Sequence, residues 1–267
     1  MADKILIFIP MYNCAQQIGR VLKQLENPDV AKFFHGVLCV DNQSPDATLE
    51  VAAAAMERVP LPFRAILRNA GNYGLGGSHK VAIDFGLAQG YSHLVVLHGD
   101  DQGSIADLTP LVAAGAHDSL DCLLGARFMP GSRLQGYSAL RTLANRVFNA
   151  IFSIISGQKL YDLGSGLNLY RLDIFRDGFH RRFRDDLTFN YFLILACCQK
   201  GFRQKFFPLT WCEDDQISNA KLFRQGVRML KLLAQRIFDP KGFLASEHRA
   251  VAIADYSSQT VRAWPGA

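Results

Sequence analysis

Four short clusters carry residue types suited to phosphate and sugar chemistry. His98-Gly99-Asp100-Asp101-Gln102 sets two carboxylates beside an imidazole, a donor set able to hold Mg²⁺ or Mn²⁺ against a diphosphate. An Asp pair after a strand also serves as a turn or helix cap, so this tract alone decides little. Arg68-Asn69-Ala70-Gly71-Asn72-Tyr73-Gly74-Leu75-Gly76-Gly77 offers glycines that let backbone N–H groups approach phosphates. It lacks the third glycine of a dinucleotide fingerprint and follows the third strand, not the first, and no G-x-x-x-x-G-K-[ST] run occurs. The remaining clusters are Tyr12-Asn13 and the Asp41 to Asp46 stretch.

These clusters need elements to bring them together. Ile5 to Ile9 reads as a buried strand, and Ala15 to Glu26 as a helix with Ile18, Val21, Leu22 and Leu25 on one face. Val37 to Val40, Phe63 to Leu67 and His93 to Leu97 repeat the strand pattern. Thr48 to Val59 and Val81 to Ala88 read as helices between them, with Gly71 to Gly77 as a loop. Strands separated by single helices predict an α/β domain whose parallel sheet is covered on both faces and binds ligands at its strand C-termini. All four clusters fall at such ends. Further on, Cys122 to Ala126 and Leu167 to Tyr170 read as strands, Leu140 to Ile155 and Phe189 to Cys198 as helices, and Gln204 to Leu209 as a final strand.

The 267 residues are 49% apolar and 20% charged, enough for one large core without disulfides or a structural metal. Six scattered cysteines (Cys14, Cys39, Cys122, Cys197, Cys198, Cys212) form no C-x-x-C pair and predict reduced thiols in a cytoplasmic protein. The apolar run Ile5 to Ile9 is too short for a secretory signal, and no stretch reaches the ~20 apolar residues that span a bilayer. A net charge of +5 suits anionic ligands, nucleic acid or an acidic membrane surface. Without a recognition motif, nucleic acid is the least favoured partner.

In order and spacing, Ile9-Pro10-Met11-Tyr12-Asn13, Val40-Asp41-Asn42-Gln43-Ser44-Pro45-Asp46-Ala47-Thr48, the Arg68 to Gly77 loop and His98 to Gln102 resemble family 2 glycosyltransferases. Within that family the chain is most similar to the polyprenyl-phosphate branch typified by dolichol-phosphate mannose synthase. The shared features are Gly74-Leu75-Gly76, Gln102 two places after Asp100, Gly125-Ala126-Arg127, Asp162 to Gly166, and Pro208 to Trp211 with nearby Ser218. The resemblance runs from about residue 5 to 235.

The resemblance implies a GT-A type, Rossmann-like single domain, its mixed, mostly parallel sheet flanked by helices and followed by C-terminal amphipathic helices. The domain spans 1–245, with a nucleotide-sugar half at 1–103, an acceptor-side half at 104–245 and a tail at 246–267. It also implies an inverting transfer from a UDP- or GDP-sugar. Pro10, Tyr12, Asn13 and Asn42 shape the nucleotide pocket, Asp41 accepts a hydrogen bond from the base, and Asp46 braces that loop. Arg68, Gly74 and Gly76 lie beside the nucleotide and diphosphate. Asp100 is the first metal ligand, for Mg²⁺ or Mn²⁺, supported by Gln102 and by His98, which replaces an expected Asp. Asp100, Asp101 and Arg127 are the catalytic candidates, and Arg127 and Arg141 grip the acceptor phosphate or donor diphosphate. Asn190 stands where many members carry an acid, and an amide is no general base, with Asp185 and Asp186 close by as alternative matches to that acid. A lipid phosphate, already ionised, needs none, whereas a sugar hydroxyl does.

Asn219 to Phe238 predicts a helix with Lys221, Arg224, Arg228 and Lys231 on one stripe and Phe223, Val227, Leu230, Leu233 and Ile237 on another. Such a helix either lies on an anionic bilayer or packs on the domain with a solvated basic face. Phe148, Ile151, Phe152, Ile154 and Ile155 form a second candidate membrane surface, with burial in the core as the alternative. The favoured expectation is a cytoplasmic or membrane-peripheral enzyme acting on polyprenyl phosphate. Its rivals are a transferase to a saccharide or small-molecule hydroxyl and a nonenzymatic nucleotide-sugar-binding protein.

Overall fold

A computed structural model describes residues 3–213 and 222–264. In chain order the first half runs β1 (Ile5–Met11), α1 (Ile18–Lys23), α2 (Pro28–Ala31), β2 (Gly36–Asp41), α3 (Thr48–Met56), β3 (Phe63–Asn69), α4 (Gly74–Ala88), β4 (His93–Leu97) and α5 (Thr109–Ala113). The second half runs β5 (Cys122–Ala126), β6 (Arg133–Gln135), α6 (Ala139–Ser156), β7 (Leu167–Arg171), α7 (Phe189–Gln199), β8 (Gln204–Pro208), β9 (Thr210–Cys212), α8 (Leu222–Phe238), α9 (Pro240–Ala245) and β10 (Ser258–Trp264).

Eight strands form one sheet in the order β10-β3-β2-β1-β4-β7-β5-β8, and β6 pairs with β9 in a small second sheet. β1, β2, β3 and β4 are mutually parallel, whereas β7 runs antiparallel between β4 and β5. The chain moves outward from β1 through β2 to β3, then returns to place β4 on the other side of β1. That reversal opens a crevice at the C-terminal ends of β1 and β4, where open α/β sheets bind ligands.

Period-two alternation divides the strands between two cores. Leu6, Phe8, Leu38, Val40, Leu94 and Val96 face a layer that includes Val81 of α4 and Leu193 of α7. Ile5, Ile7, Ile9, Val37, Cys39 and Val95 face Ile18 and Leu22 of α1 and Met56 of α3. Both sheet faces are buried, which is why the strands read as continuous apolar runs.

Several expectations change. The first helix is only Ile18–Lys23, shorter than the Ala15 to Glu26 periodicity. The Gly71 to Gly77 stretch is not all loop, because α4 begins at Gly74. Gly74 has φ +72°, and a Cβ there would lie 2.4 Å from the Asp185 carbonyl oxygen. A Cβ on Gly76 would lie 2.5 Å from the Arg184 carbonyl oxygen, and the Gly76 N–H donates to the Asp185 carbonyl at 2.7 Å. These glycines let the first turn of α4 lie flush against residues 184–185.

Gln204 to Leu209 is not the last strand. Inside the segment read as a tail, β10 adds antiparallel to β3, with Trp264 opposite Arg64 and donating from Nε1 to Glu57 at 3.1 Å. An edge strand needs no apolar face, so its sequence carries no alternation.

The candidate membrane stripes also shift. On α6, Phe152 is fully buried, and Phe148, Ile151 and Ile155 pack partly against the core. The exposed apolar residues of α6 are Leu140, Leu143, Val147 and Ile154, a row at helical spacing. On α8, Met229, Leu232 and Leu233 are buried, while Val227, Leu230, Ile237 and Phe238 are exposed. Ser218, Lys221 and the side chains of Phe223 and Arg224 lie outside the described residues. No helix among the described residues is long and apolar enough to cross a membrane.

Candidate active site

At the C-terminal ends of β1, β2 and β4 lies a cavity of about 1010 Å³. Pro10, Tyr12, Asn13, Asn42, Asp46 and Gly74 line it, as do His98, Asp100 and Gln102. Arg127, after β5, and Arg141, on α6, complete the far side. Three non-glycine residues among those described have positive φ: Asn13 (52°), Gln43 (65°) and Asp101 (58°). All sit in loops after the strands that form the crevice, held there by surrounding bonds. Ser44 Oγ accepts from the Asn13 N–H at 3.1 Å, and Gln43 Nε2 donates to the Asn69 carbonyl at 2.5 Å.

Amide side chains join the strand ends. Asn69 Nδ2 donates to Asn42 Oδ1 and to Ser78 Oγ, both at 3.0 Å, and Asn42 Nδ2 donates to Asn72 Oδ1 at 2.8 Å. Asn42 Oδ1 also accepts the Tyr73 N–H at 2.8 Å, so the start of α4 is fixed relative to β2. Asp46 accepts from the Ala15 and Thr48 N–H groups at 3.1 and 3.2 Å, tying the β1 and β2 loops together. Burial raises the Asp46 pKa, but these bonds and the Thr48 hydroxyl outweigh it and hold the group below its ordinary value.

Four sequence-predicted residues stand outside the lining: Asp41, Arg68, Gly76 and Asp101. Asp41 is fully buried, accepts the Ser44 N–H at 3.2 and 3.3 Å, and lies 3.4 Å from Arg68 Nε. Gly76 is turned to residues 184–185. Asp101, expected beside Asp100 as a second catalytic carboxylate, has a positive φ, and its side chain accepts from Arg20 Nε at 2.6 Å and Gln24 Nε2 at 3.2 Å.

Asp100 stays in the cavity. Burial pushes its pKa up to about 6, opposed by the Gln102 N–H that donates to Oδ1 at 3.3 Å. His98 Nδ1 lies 3.9 Å from Asp100 Oδ2, and burial, helped by Arg127, holds His98 down at about 4. A neutral imidazole thus faces a carboxylate that its surroundings leave under-compensated, a donor set that fits a divalent cation.

The two cavity arginines arrive already paired. Arg127 donates to Asp162 from Nε at 2.8 Å and Nη2 at 2.9 Å, and its guanidinium lies 4.9 Å from the Trp211 ring centre. Arg141 donates to Glu213 at 2.6 and 3.2 Å and lies over Tyr137. Among the described lining residues, Asp46, Asp100, Asp186 and Glu213 outnumber Arg127 and Arg141. A diphosphate entering this set gains from an added cation.

Sequence reasoning missed Tyr137, Asn145, Tyr191 and Glu213, which also line the cavity. Glu213 sits two places after the Trp211 motif, the one signal that pointed to it. The others lie on α6, α7 and the turn before α6, and only the fold aims them inward. Asn190 lines the same cavity, is 4% exposed, and its Oδ1 has no hydrogen-bond partner.

Comparison with known proteins follows the same lines. Residues 6–179 match the sequence profile described as glycosyl transferase family 2. The chain is 26% identical over 227 residues to polyprenol monophosphomannose synthase of Mycolicibacterium smegmatis, covering 80% of this chain and 79% of that one. It is 28% identical over 173 residues to undecaprenyl-phosphate mannosyltransferase of Micrococcus luteus, covering 65% and 68%. Among solved structures, Mycobacterium tuberculosis glucosyl-3-phosphoglycerate synthase in complex with Mn²⁺, UDP and glucosyl-3-phosphoglycerate superposes with TM-score 0.60 at 11% identity, covering 99% and 88% of the chains. That likeness shows the GT-A type fold. The chain belongs to glycosyl transferase family 2 and groups with its polyprenyl-phosphate glycosyltransferase branch.

Proposed function

We propose that this glycosyltransferase moves a sugar, with inversion, from a UDP- or GDP-sugar to a polyprenyl phosphate at a membrane surface. The observation that carries the reading is the mixed lining of one cavity, in which the polar Asp100, Arg127 and Asn190 are joined by the apolar Ala144, Phe148, Leu187 and Met229. Ala144 and Phe148 lie on α6, the helix that also bears the exposed row of Leu140, Leu143, Val147 and Ile154. A lipid phosphate matches this combination, with its headgroup on the polar groups, its first prenyl units on the apolar ones and the remaining chain in the bilayer. The names of the relatives support the same acceptor.

Residues 1–103 hold the donor and 104–245 the acceptor. An acceptor phosphate oxygen, already ionised near pH 7, attacks the anomeric carbon from the face opposite the nucleoside diphosphate. The bond from that carbon to the diphosphate oxygen breaks as the new one forms. Asn190 fits this acceptor, whose phosphate oxygen needs no base, and the lining carboxylate Asp186 is already engaged by Arg184 and Thr188. Arg127, rigid on Asp162 and Trp211, holds phosphate oxygens in line. Asp100, with His98 and Gln102, would hold Mg²⁺ or Mn²⁺, which offsets charge on the departing diphosphate when bound. The Mn²⁺ and UDP of the similar synthase support that cofactor and donor class.

The test is transfer of radiolabelled sugar from UDP- and GDP-hexoses to a short polyprenyl phosphate, with a free saccharide as competing acceptor. Label in the organic phase supports the proposal. Label on the saccharide instead replaces the acceptor, and donor binding without transfer to either removes the enzymatic reading.

A further inference from the structure

At the opposite end of the sheet, one strand length from the cavity, a second cluster of metal-ligating side chains stands outside the transfer machinery. His93 opens β4 and His98 follows it, so the two are separated by roughly 17 Å of strand at about 3.3 Å per residue. Asp3, His93 and His117 place one ligand atom each within 4.8 Å of one another. His93 Nδ1 lies 3.6 Å from Asp3 Oδ1, and His117 Nε2 lies 3.5 Å from Asp3 Oδ2 and 3.5 Å from Asp118 Oδ1.

We propose that Asp3, His93, His117 and Asp118 form a site for a divalent transition metal of the Zn²⁺ class, separate from the cation held at Asp100. The separations carry this assignment. They exceed the 2.7–3.2 Å of an N–H···O hydrogen bond. Zn–N and Zn–O bonds of about 2.0–2.1 Å in a tetrahedron place neighbouring ligand atoms about 3.3–3.4 Å apart; the His–Asp pairs here stand at 3.5 to 3.6 Å, and the ligand atoms of Asp3, His93 and His117 all lie within 4.8 Å of one another. Two imidazoles and two carboxylates are donors that suit such an ion, whereas Mg²⁺ favours oxygen ligands alone.

The surroundings favour the same occupant. The side chains of His93 and His117 are 1% and 7% exposed, and those of Asp3 and Asp118 are 40% and 63% exposed. The site thus has a rigid imidazole floor and an open carboxylate mouth. The Ser92 hydroxyl lies 2.9 Å from His93 Nδ1 and donates to the Lys4 carbonyl at 3.2 Å, so a metal on Nδ1 would replace the contact to Ser92. Arg171 Nη2 donates to the carbonyls of His117 at 3.4 Å and Asp118 at 2.7 Å, fixing that loop in advance. A bound metal would join residue 3, the start of β4 and the turn after α5 at the N-terminal end of the central strands.

The experiment uses full-length, tag-free protein stripped with EDTA and titrated with Zn²⁺ by calorimetry, and with Co²⁺ by visible absorption. The expected result is one tight equivalent that raises Tm, gives the absorption of four-coordinate Co²⁺, and persists unchanged in Asp100→Asn. Asp3→Asn and His117→Gln should each weaken it at least tenfold with far-UV circular dichroism unchanged. Asp3 is half-exposed near the terminus, so its variant keeps the test valid should His117→Gln misfold. Loss of the tight equivalent in Asp100→Asn overturns the assignment, as does an affinity that Asp3→Asn leaves unchanged.

Discussion

The Arg127 guanidinium lies between a carboxylate and an indole, donating twice to Asp162 and resting 4.9 Å from the Trp211 ring centre. Asp162 also accepts the backbone N–H groups of Arg127 at 2.9 Å and Gly164 at 3.0 Å, so one buried carboxylate fixes both ends of the arginine. Removing one partner of such a buried pair leaves a charge uncompensated, at a cost of about 3–5 kcal/mol. Asp162→Asn should therefore lower both stability and transfer. Arg127→Lys keeps the charge but loses the fork, and its kcat/KM should fall about 100-fold with a much smaller change in Tm. Initial rates and thermal melts on the two variants check this, and equal Tm losses would contradict it.

Asp100 and Asp101 are neighbours in sequence with opposite destinations. Asp100→Asn should reduce transfer by about three orders of magnitude, with a matching loss when wild-type protein is assayed in EDTA. Asp101→Asn loses only the contacts to Arg20 and Gln24, and its rate should stay within about tenfold of wild type. Comparable losses in the two variants would return Asp101 to the cavity.

Asn190 offers a test of the acceptor. A carboxylate introduced by Asn190→Asp would stand in the buried cavity beside an anionic phosphate and should raise the acceptor KM at least tenfold. Were the acceptor a hydroxyl, the same change would supply a base and increase kcat. The sign of the effect separates the two chemistries.

The α6 row predicts how the enzyme reaches its lipid. Leu143→Glu combined with Val147→Glu removes apolar area from an exposed face without touching the core. Sedimentation with anionic liposomes should fall at least tenfold, as should transfer to bilayer-embedded polyprenyl phosphate. Transfer to a short, water-soluble prenyl phosphate should be unchanged. Equal loss on both acceptors would mean the row is structural.

His180 predicts an acid limit to stability. It is fully buried against Phe175 and Phe179, both ring nitrogens lack hydrogen-bond partners among the described residues, and burial holds its pKa at about 3. The unfolded chain takes up a proton near pH 6.5 that the folded chain refuses. The native state therefore loses stability as pH falls from about 6.5 towards 3, on the order of 1.4 kcal/mol per pH unit for this group. Urea unfolding at pH 7, 6 and 5 should show that decline, and His180→Phe should make it shallower by about one proton. An unchanged slope would assign the acid sensitivity elsewhere.

The sequence by itself determined the strand and helix alternation through β4, because both faces of that sheet are buried and each strand announces itself as an apolar run. It also determined which strand-end loops bear the polar clusters, since local motifs such as Asp41 to Asp46 and His98 to Gln102 survive as contiguous residues. The tertiary structure decided everything that depends on a distant partner. Asp101 turns out of the cavity because Arg20 receives it, and Gly74 and Gly76 serve a contact with residues more than a hundred positions away. β10 exists because β3 has an open edge, and its own polar sequence gives no sign of that. Tyr137, Tyr191 and Glu213 meet Arg127 and Arg141 only once α6, α7 and β9 have packed. Local propensity and periodicity are properties of neighbouring residues, whereas a side chain's direction and its charge partner are set by which elements the fold brings together.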